Sequence, residues 1–203
     1  MKTHETHEAI HETGHHGHHD ESHGSKKNKL IALIISVLAV ALAIIEASGK
    51  NAQNTSISAN IQASDLWAFY QAKTIRQTSF RNDADVLELL APGGIGEPRN
   101  EQIKIKITEW RSVASRYDSE PDKGDGRKEL MEKAKSVEHH RDVALSAYHM
   151  FEYGAAAIEI AIVLCSAGVV IDMLGLVFLA SGFGLIGVCF GLIGWLSPGL
   201  FHI

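Results

Sequence analysis

GAAAIEIAIVLCSAGVVIDMLGLVFLASGFGLIGVCFGLIGWLSP, residues 154–198, decides the fold. Its charged side chains are Glu159 and Asp172, and it is more than twice as long as the roughly 20 apolar residues that cross a bilayer's hydrocarbon core as a helix. Asp172 falls where a tight reversal is expected, so the run divides into two spans, 153–171 and 174–196. The second closes on Trp195 and Pro198, an interfacial aromatic followed by a helix breaker, with a short tail at 197–203. A backbone in lipid must satisfy its own hydrogen bonds, so both halves are expected to be helices.

A third apolar run, LIALIISVLAVALAII, covers residues 30–45. At 1.5 Å per residue it makes roughly 24 Å of helix, short but sufficient for a thin bilayer. No cleavage site of small residues follows before a folded domain, so residues 30–47 read as an uncleaved first span. Ala32, Ser36, Ala39, Ala43 and Glu46 recur at three and four, a face of small residues on which another helix can approach closely. Lys26, Lys27 and Lys29 precede the run and only Lys50 follows closely. The positive-inside bias therefore puts the N-terminus in the cytoplasm and the middle region outside.

Hydrophobic residues make up 45% of the 203, an ordinary fraction whose segregation into charge-poor runs is the membrane signature. The net charge of −5 and a middle region with balanced acids and bases leave no basic field, which excludes nucleic acid as partner. Cys165 and Cys189 sit inside the apolar runs without CxxC spacing and indicate no compartment.

Residues 48–152 read as a helical extramembrane region with helices at about 51–90, 99–117 and 127–152, the last continuous with the next span. Ile57, Ile61, Ala68, Ala72 and Ile75 recur near helical spacing, as do Ile103, Ile107, Trp110, Ala114 and Tyr117. The third of these helices shows the pattern in Leu130, Ala134, Val137, Ala144, Leu145, Tyr148 and Phe151. The Gly- and Pro-rich strings APGGIGEP and DSEPDKGDG separate the helices. The fold class is thus all-α, an integral membrane protein of about three transmembrane helices with a long-helix extramembrane region.

Two strings, SANIQASDLWAFYQAKTIRQT at 58–78 and RYDSEPDKGDGRKELMEKAKSVEHHRD at 116–142, resemble the bacterial "domain of unknown function 4337" family, and the likeness extends over nearly the whole chain. That resemblance implies a protein of the bacterial inner membrane, in which the lysine bias would make the middle region periplasmic. It implies no activity, substrate or catalytic residue.

Chemistry has few places to reside. Residues 1–29 form a polar tail, expected to be disordered, that holds eight of the twelve histidines: His4, His7, His11, His15, His16, His18, His19 and His23. Imidazoles three or four apart among Glu5, Glu8 and Glu12 are permissive ligands for zinc or nickel, without a scaffold to fix one geometry. Glu159 lies inside the second span, where a carboxylate is expensive unless protonated or paired. Gly154, Ala157, Ala161, Cys165 and Gly168 make a small stripe nearly opposite it, and Glu46 would lie at the same side of the bilayer, so the two carboxylates are candidates for a shared proton or cation site. In the third span Ala180, Gly184, Gly187, Gly191 and Gly194 form a ridge for close helix packing. Asp118, Glu120, Asp122 and Glu129 imitate a calcium loop, but Lys123 stands where glycine is required. No nucleophile elbow, phosphate loop or zinc-protease motif is present, so the expected function is non-catalytic.

The leading expectation is an assembly or scaffold protein, homo-oligomeric through its small-residue faces and through Ile57, Ile61, Trp67 and Trp110. The alternatives are a cation or proton pathway using Glu46 and Glu159, and metal capture or sensing by the tail.

Overall fold

The computed structural model describes residues 21–91 and 98–200. Every regular element among them is helical: α1 (Glu21–Leu90), α2 (Pro98–Asp118), α3 (Arg127–Ile171), α4 (Leu174–Leu196) and a closing 3-10 turn, Pro198–Leu200. α1, α3 and α4 are each long and apolar enough to cross a membrane. α1 begins at Glu21, inside the tail expected to be unstructured, with Gly24 as a helical residue. A lone glycine costs about 1 kcal/mol, which a long helix absorbs because adding a residue to an existing helix is far easier than nucleating one. The histidines before His23 and most of the APGGIGEP string lie outside the described residues.

The chain forms two compact units, one from Met1–Lys50 with Ala147–Ile203 and the other from Asn51–Ser146. In the first, α3 reverses into α4 through Asp172 and Met173 alone. Asp172 takes φ 53°, the left-handed conformation that a short polar side chain tolerates best after glycine. Met173 N–H then donates to Gly168 O at 3.1 Å and Leu176 N–H to Met173 O at 3.1 Å, which closes one helix and opens the next. At the far end Ser197 N–H caps Ile193 O at 2.9 Å.

Glycines set the packing of this unit. Ala180, Gly184, Gly187, Gly191 and Gly194 are the buried residues of α4, but the ridge serves two partners. A methyl group on Gly187 would meet Gly154 O at 2.7 Å and Ile158 N at 3.2 Å, and one on Gly194 would meet the Phe151 ring at 3.0 Å, so these two face α3. One on Gly184 would meet Leu38 Cδ2 at 2.9 Å, and one on Gly191 would meet Ile45 Cδ1 at 2.7 Å, so these face α1. Alternating spacings of three and four around the helix thus place α4 against both neighbours. From Gly154 onward the buried set of α3 is Gly154, Ile158, Ala161, Cys165 and Gly168; Ile158 occupies the place expected of Ala157. α1 uses its larger residues: Ile31, Leu38 and Ile45 are buried, whereas Ala32, Ser36, Ala39 and Ala43 are exposed. The expected small face of α1 therefore points out of the unit, because α4 already supplies the notches and needs protrusions opposite them.

In the second unit α1, α2 and α3 pack along a seam with a 3.5-residue period. Ser56, Ala59, Ala63, Leu66, Tyr70, Lys73, Gln77, Phe80, Ala84 and Leu87 are all buried or half-buried, and among the residues between them only Trp67 and Thr74 are not exposed. That alternation of threes and fours is the period of left-handed helix packing. The face anticipated from Ile57, Ile61, Ala68, Ala72 and Ile75 is instead the exposed one. Small residues win much of the interior because they let helix backbones come close, and Tyr70, Lys73 and Gln77 find partners on α2, on α3 and in the loop between them.

Candidate functional site

The polar part of the seam is the most elaborately bonded region among the described residues. Lys73, 5% exposed, ion-pairs with Asp125 at 3.0 Å and lies 5.2 Å and 5.7 Å from the ring centres of Phe69 and Tyr117. One turn on, Gln77 is 1% exposed and donates through Nε2 to Ala114 O at 3.2 Å and to Asp118 Oδ1 at 3.3 Å, while its carbonyl oxygen accepts from Arg127. Arg127 also donates to the Tyr70 hydroxyl at 3.0 Å and stacks over that ring at 5.1 Å. Trp67 Nε1 donates to Glu138 at 2.9 Å. A buried amide or ammonium without a partner would cost several kcal/mol, so these bonds make a polar seam tenable.

The DSEPDKGDG string supplies the remaining partners. Gly124, at φ 64°, donates to Glu120 O at 2.8 Å and turns the chain back. The bond from Lys128 holds the Asp118 carboxyl below its ordinary range, reinforced by the bond from Gln77. The bond from Lys73 does the same for Asp125, and the bond from the Ser119 hydroxyl for Glu129. Three of the four acids that imitate a calcium loop are thus engaged with cations or a hydroxyl: Asp118 with Lys128 at 3.0 Å, Glu120 with Lys123 at 3.0 Å, Glu129 with Ser119 at 2.5 Å. Among the described residues no group of three His, Cys, Asp or Glu is gathered that could hold a metal ion.

A cavity of about 260 Å³ opens beside this network. Lys73, Arg76, Arg116 and Lys123 line it as cations, Glu120 and Asp125 as anions, with Phe69, Val113 and Tyr117 as its apolar wall. Except for Val113, all of these residues come from the strings 58–78 and 116–142, which the fold brings together from distant parts of the chain. Apolar periodicity gives no weight to a lysine or arginine, so this cavity was invisible in the sequence. The one available signal was the unusual pairing of Lys73 and Gln77 with the spacing of Ala59 and Ala63.

The residues singled out from the sequence are dispersed. Glu46 and Glu159 are both exposed, on faces turned away from the interior of the first unit, and no hydrogen bond or ion pair joins them. Ile57 and Ile61 are exposed; Trp67 and Trp110 are half-buried, Trp110 with Lys106 Nζ 5.6 Å from its ring. His4 through His19 lie outside the described residues, and His23 falls in the first turns of α1. A family model described as "Domain of unknown function (DUF4337)" matches residues 27–197; no curated protein and no solved structure matches the chain.

Proposed function

The chain belongs to the DUF4337 family, which carries no assigned activity, and we propose that it is a multi-pass protein of a bacterial inner membrane. On this reading it works without catalysis, as a homo-oligomeric assembly or interaction protein. Its spans are the apolar part of α1, the second half of α3, and α4. The lysines before the first span favour a cytoplasmic N-terminus, with Asn51–Ser146 on the periplasmic side.

One observation carries the reading: the apolar helices are inside out. Only 17%, 33% and 22% of the most apolar stretches of α1, α3 and α4 are buried. Leu33, Val37, Val40, Val163, Val170, Phe178 and Leu185 all point outward while glycine and alanine fill the interior. In water that surface would aggregate; in lipid, where helices attract one another mainly by close packing, it is the expected arrangement. Ala32, Ser36, Ala39 and Ala43 leave a second close-packing face on α1, beside the outward Glu46, and a carboxylate there favours coverage by a second copy over contact with lipid.

Flotation and alkaline extraction of the expressed chain test insertion, and cross-linking in native membranes tests assembly. Retention in the alkaline pellet with a cross-linked ladder is expected. Release as a soluble monomer would overturn the reading. A cation or proton pathway is the second reading, favoured by the two outward, unpaired carboxylates. Proton flux in liposomes that disappears in Glu159→Ala would establish it, and absent flux with intact oligomers would remove it.

A further inference from the structure

We infer that the cavity between Lys73, Arg76, Arg116 and Lys123 is a binding site for a phosphate dianion, free or carried as a small organic phosphomonoester. It lies wholly within the unit Asn51–Ser146. The inference goes beyond the proposed assembly role and does not depend on it.

The charges in the cavity are unequally engaged. Lys73 is held by Asp125 at 3.0 Å and Lys123 by Glu120 at 3.0 Å, so two cations and both anions neutralise each other. Arg76 and Arg116 have no ion pair or hydrogen bond among the described residues. Of the other arginines of the same unit, Arg111 binds Asp85 and Glu88, Arg127 binds Asp118 and Arg141 binds Asp142, while Arg81 and Arg99, also without a partner among the described residues, do not line the cavity. Two exposed guanidiniums on different helices thus border one concavity, one from α1 and one from α2, with all their donors free.

Their chemistry selects the ligand. A guanidinium presents paired N–H donors that match the oxygens of phosphate or carboxylate, and two of them can grip one phosphate from two sides. Four cations against two carboxylates leave a surplus of two positive charges. A phosphomonoester carries close to two negative charges at pH 7, whereas a monocarboxylate would leave one cation unmatched. Phe69 and Val113 offer an apolar wall for an organic substituent.

The test uses the full chain in neutral-lipid nanodiscs, titrated calorimetrically with inorganic phosphate and, separately, with a soluble short-chain phosphatidic acid. Saturable phosphate binding at about 1 mM or tighter is expected, weakening as sodium chloride is raised. Arg76→Gln with Arg116→Gln should weaken it about tenfold or more. Both residues are exposed, so the double variant should retain the wild-type circular dichroism and thermal midpoint. Binding of the phosphatidic acid alone, lost in the same variant, would place the same phosphate chemistry on a lipid headgroup. Failure of both titrants to bind, or a double variant that binds as wild type, overturns the inference.

Discussion

Replacing Gly187 with alanine should loosen the contact between α3 and α4 more than alanine at any other glycine of that ridge. The added methyl would stand 2.7 Å from Gly154 O, 3.2 Å from Ile158 N and 2.5 Å from Ile158 Cγ1. Ordinary contact begins at 3.4 Å, so backbone must retreat by about 0.7 Å; backbone cannot rotate aside, and Ile158 is fully buried. Overpacking of this kind destabilises by about 1–3 kcal/mol. At Gly184 and Gly191 the contacts shorter than 3.4 Å would be with the Leu38 and Ile45 side chains, which can change rotamer, so alanine there should cost less. Gly175 and Gly182 have nothing within 4 Å and serve as neutral controls. Cys165 is completely buried and reports separation of the helices directly. In a Cys189→Ser background, a maleimide dye should label it at a midpoint lowered by roughly 5 °C in Gly187→Ala. Equal midpoints for Gly187→Ala and Gly182→Ala would refute the packing argument.

The second unit yields two further predictions. Gln77→Ala removes two donated bonds and one accepted from Arg127 at a site with no access for water, so it should destabilise by about 2–3 kcal/mol in thermal melts. Ile75→Ala on the exposed face should stay within about 0.5 kcal/mol, and the reverse order would discredit the assignment of the buried seam. Because folding lowers the Asp118, Asp125 and Glu129 values, the ionised forms stabilise the folded unit. That contribution is complete above the ordinary carboxylate range near pH 4 and is lost as pH falls through the lower folded values. The thermal midpoint followed by near-ultraviolet dichroism should fall on acidification below about pH 4, and a midpoint unchanged down to about pH 2 would contradict the role given to these bonds.

Which parts of this protein are legible in its sequence follows from what hydropathy measures. Long apolar runs and glycine- or proline-rich strings locate helices and turns well: the Asp172 reversal and the ends of α2 lie within a residue or two of where the sequence places them. The glycines of α4 are legible for the same reason, since small residues at helical spacing in an apolar run suit close packing. Which face of α1 turns inward is not legible. Ile57, Ile61 and Ile75 outrank Lys73 and Gln77 on any apolar scale, yet the latter are buried because Asp125, Asp118 and Arg127, about forty or more residues away, complete their bonds. The cavity beside them is hidden for the same reason. Its cations come from strings that meet only in the folded chain, and nothing local marks Arg76 as different from a solvated arginine.

Lipid as the solvent of the three apolar helices is the premise behind the proposed role, and the chain carries its own probe of it. Cys189 is exposed near the middle of α4 while Cys165 is buried, so a nitroxide label will attach at one place. With the full chain in a bilayer, that label should collide preferentially with dissolved oxygen, which concentrates in hydrocarbon, and be shielded from a water-soluble nickel chelate. Preferential collision with the chelate would put α4 in water and contradict the membrane placement.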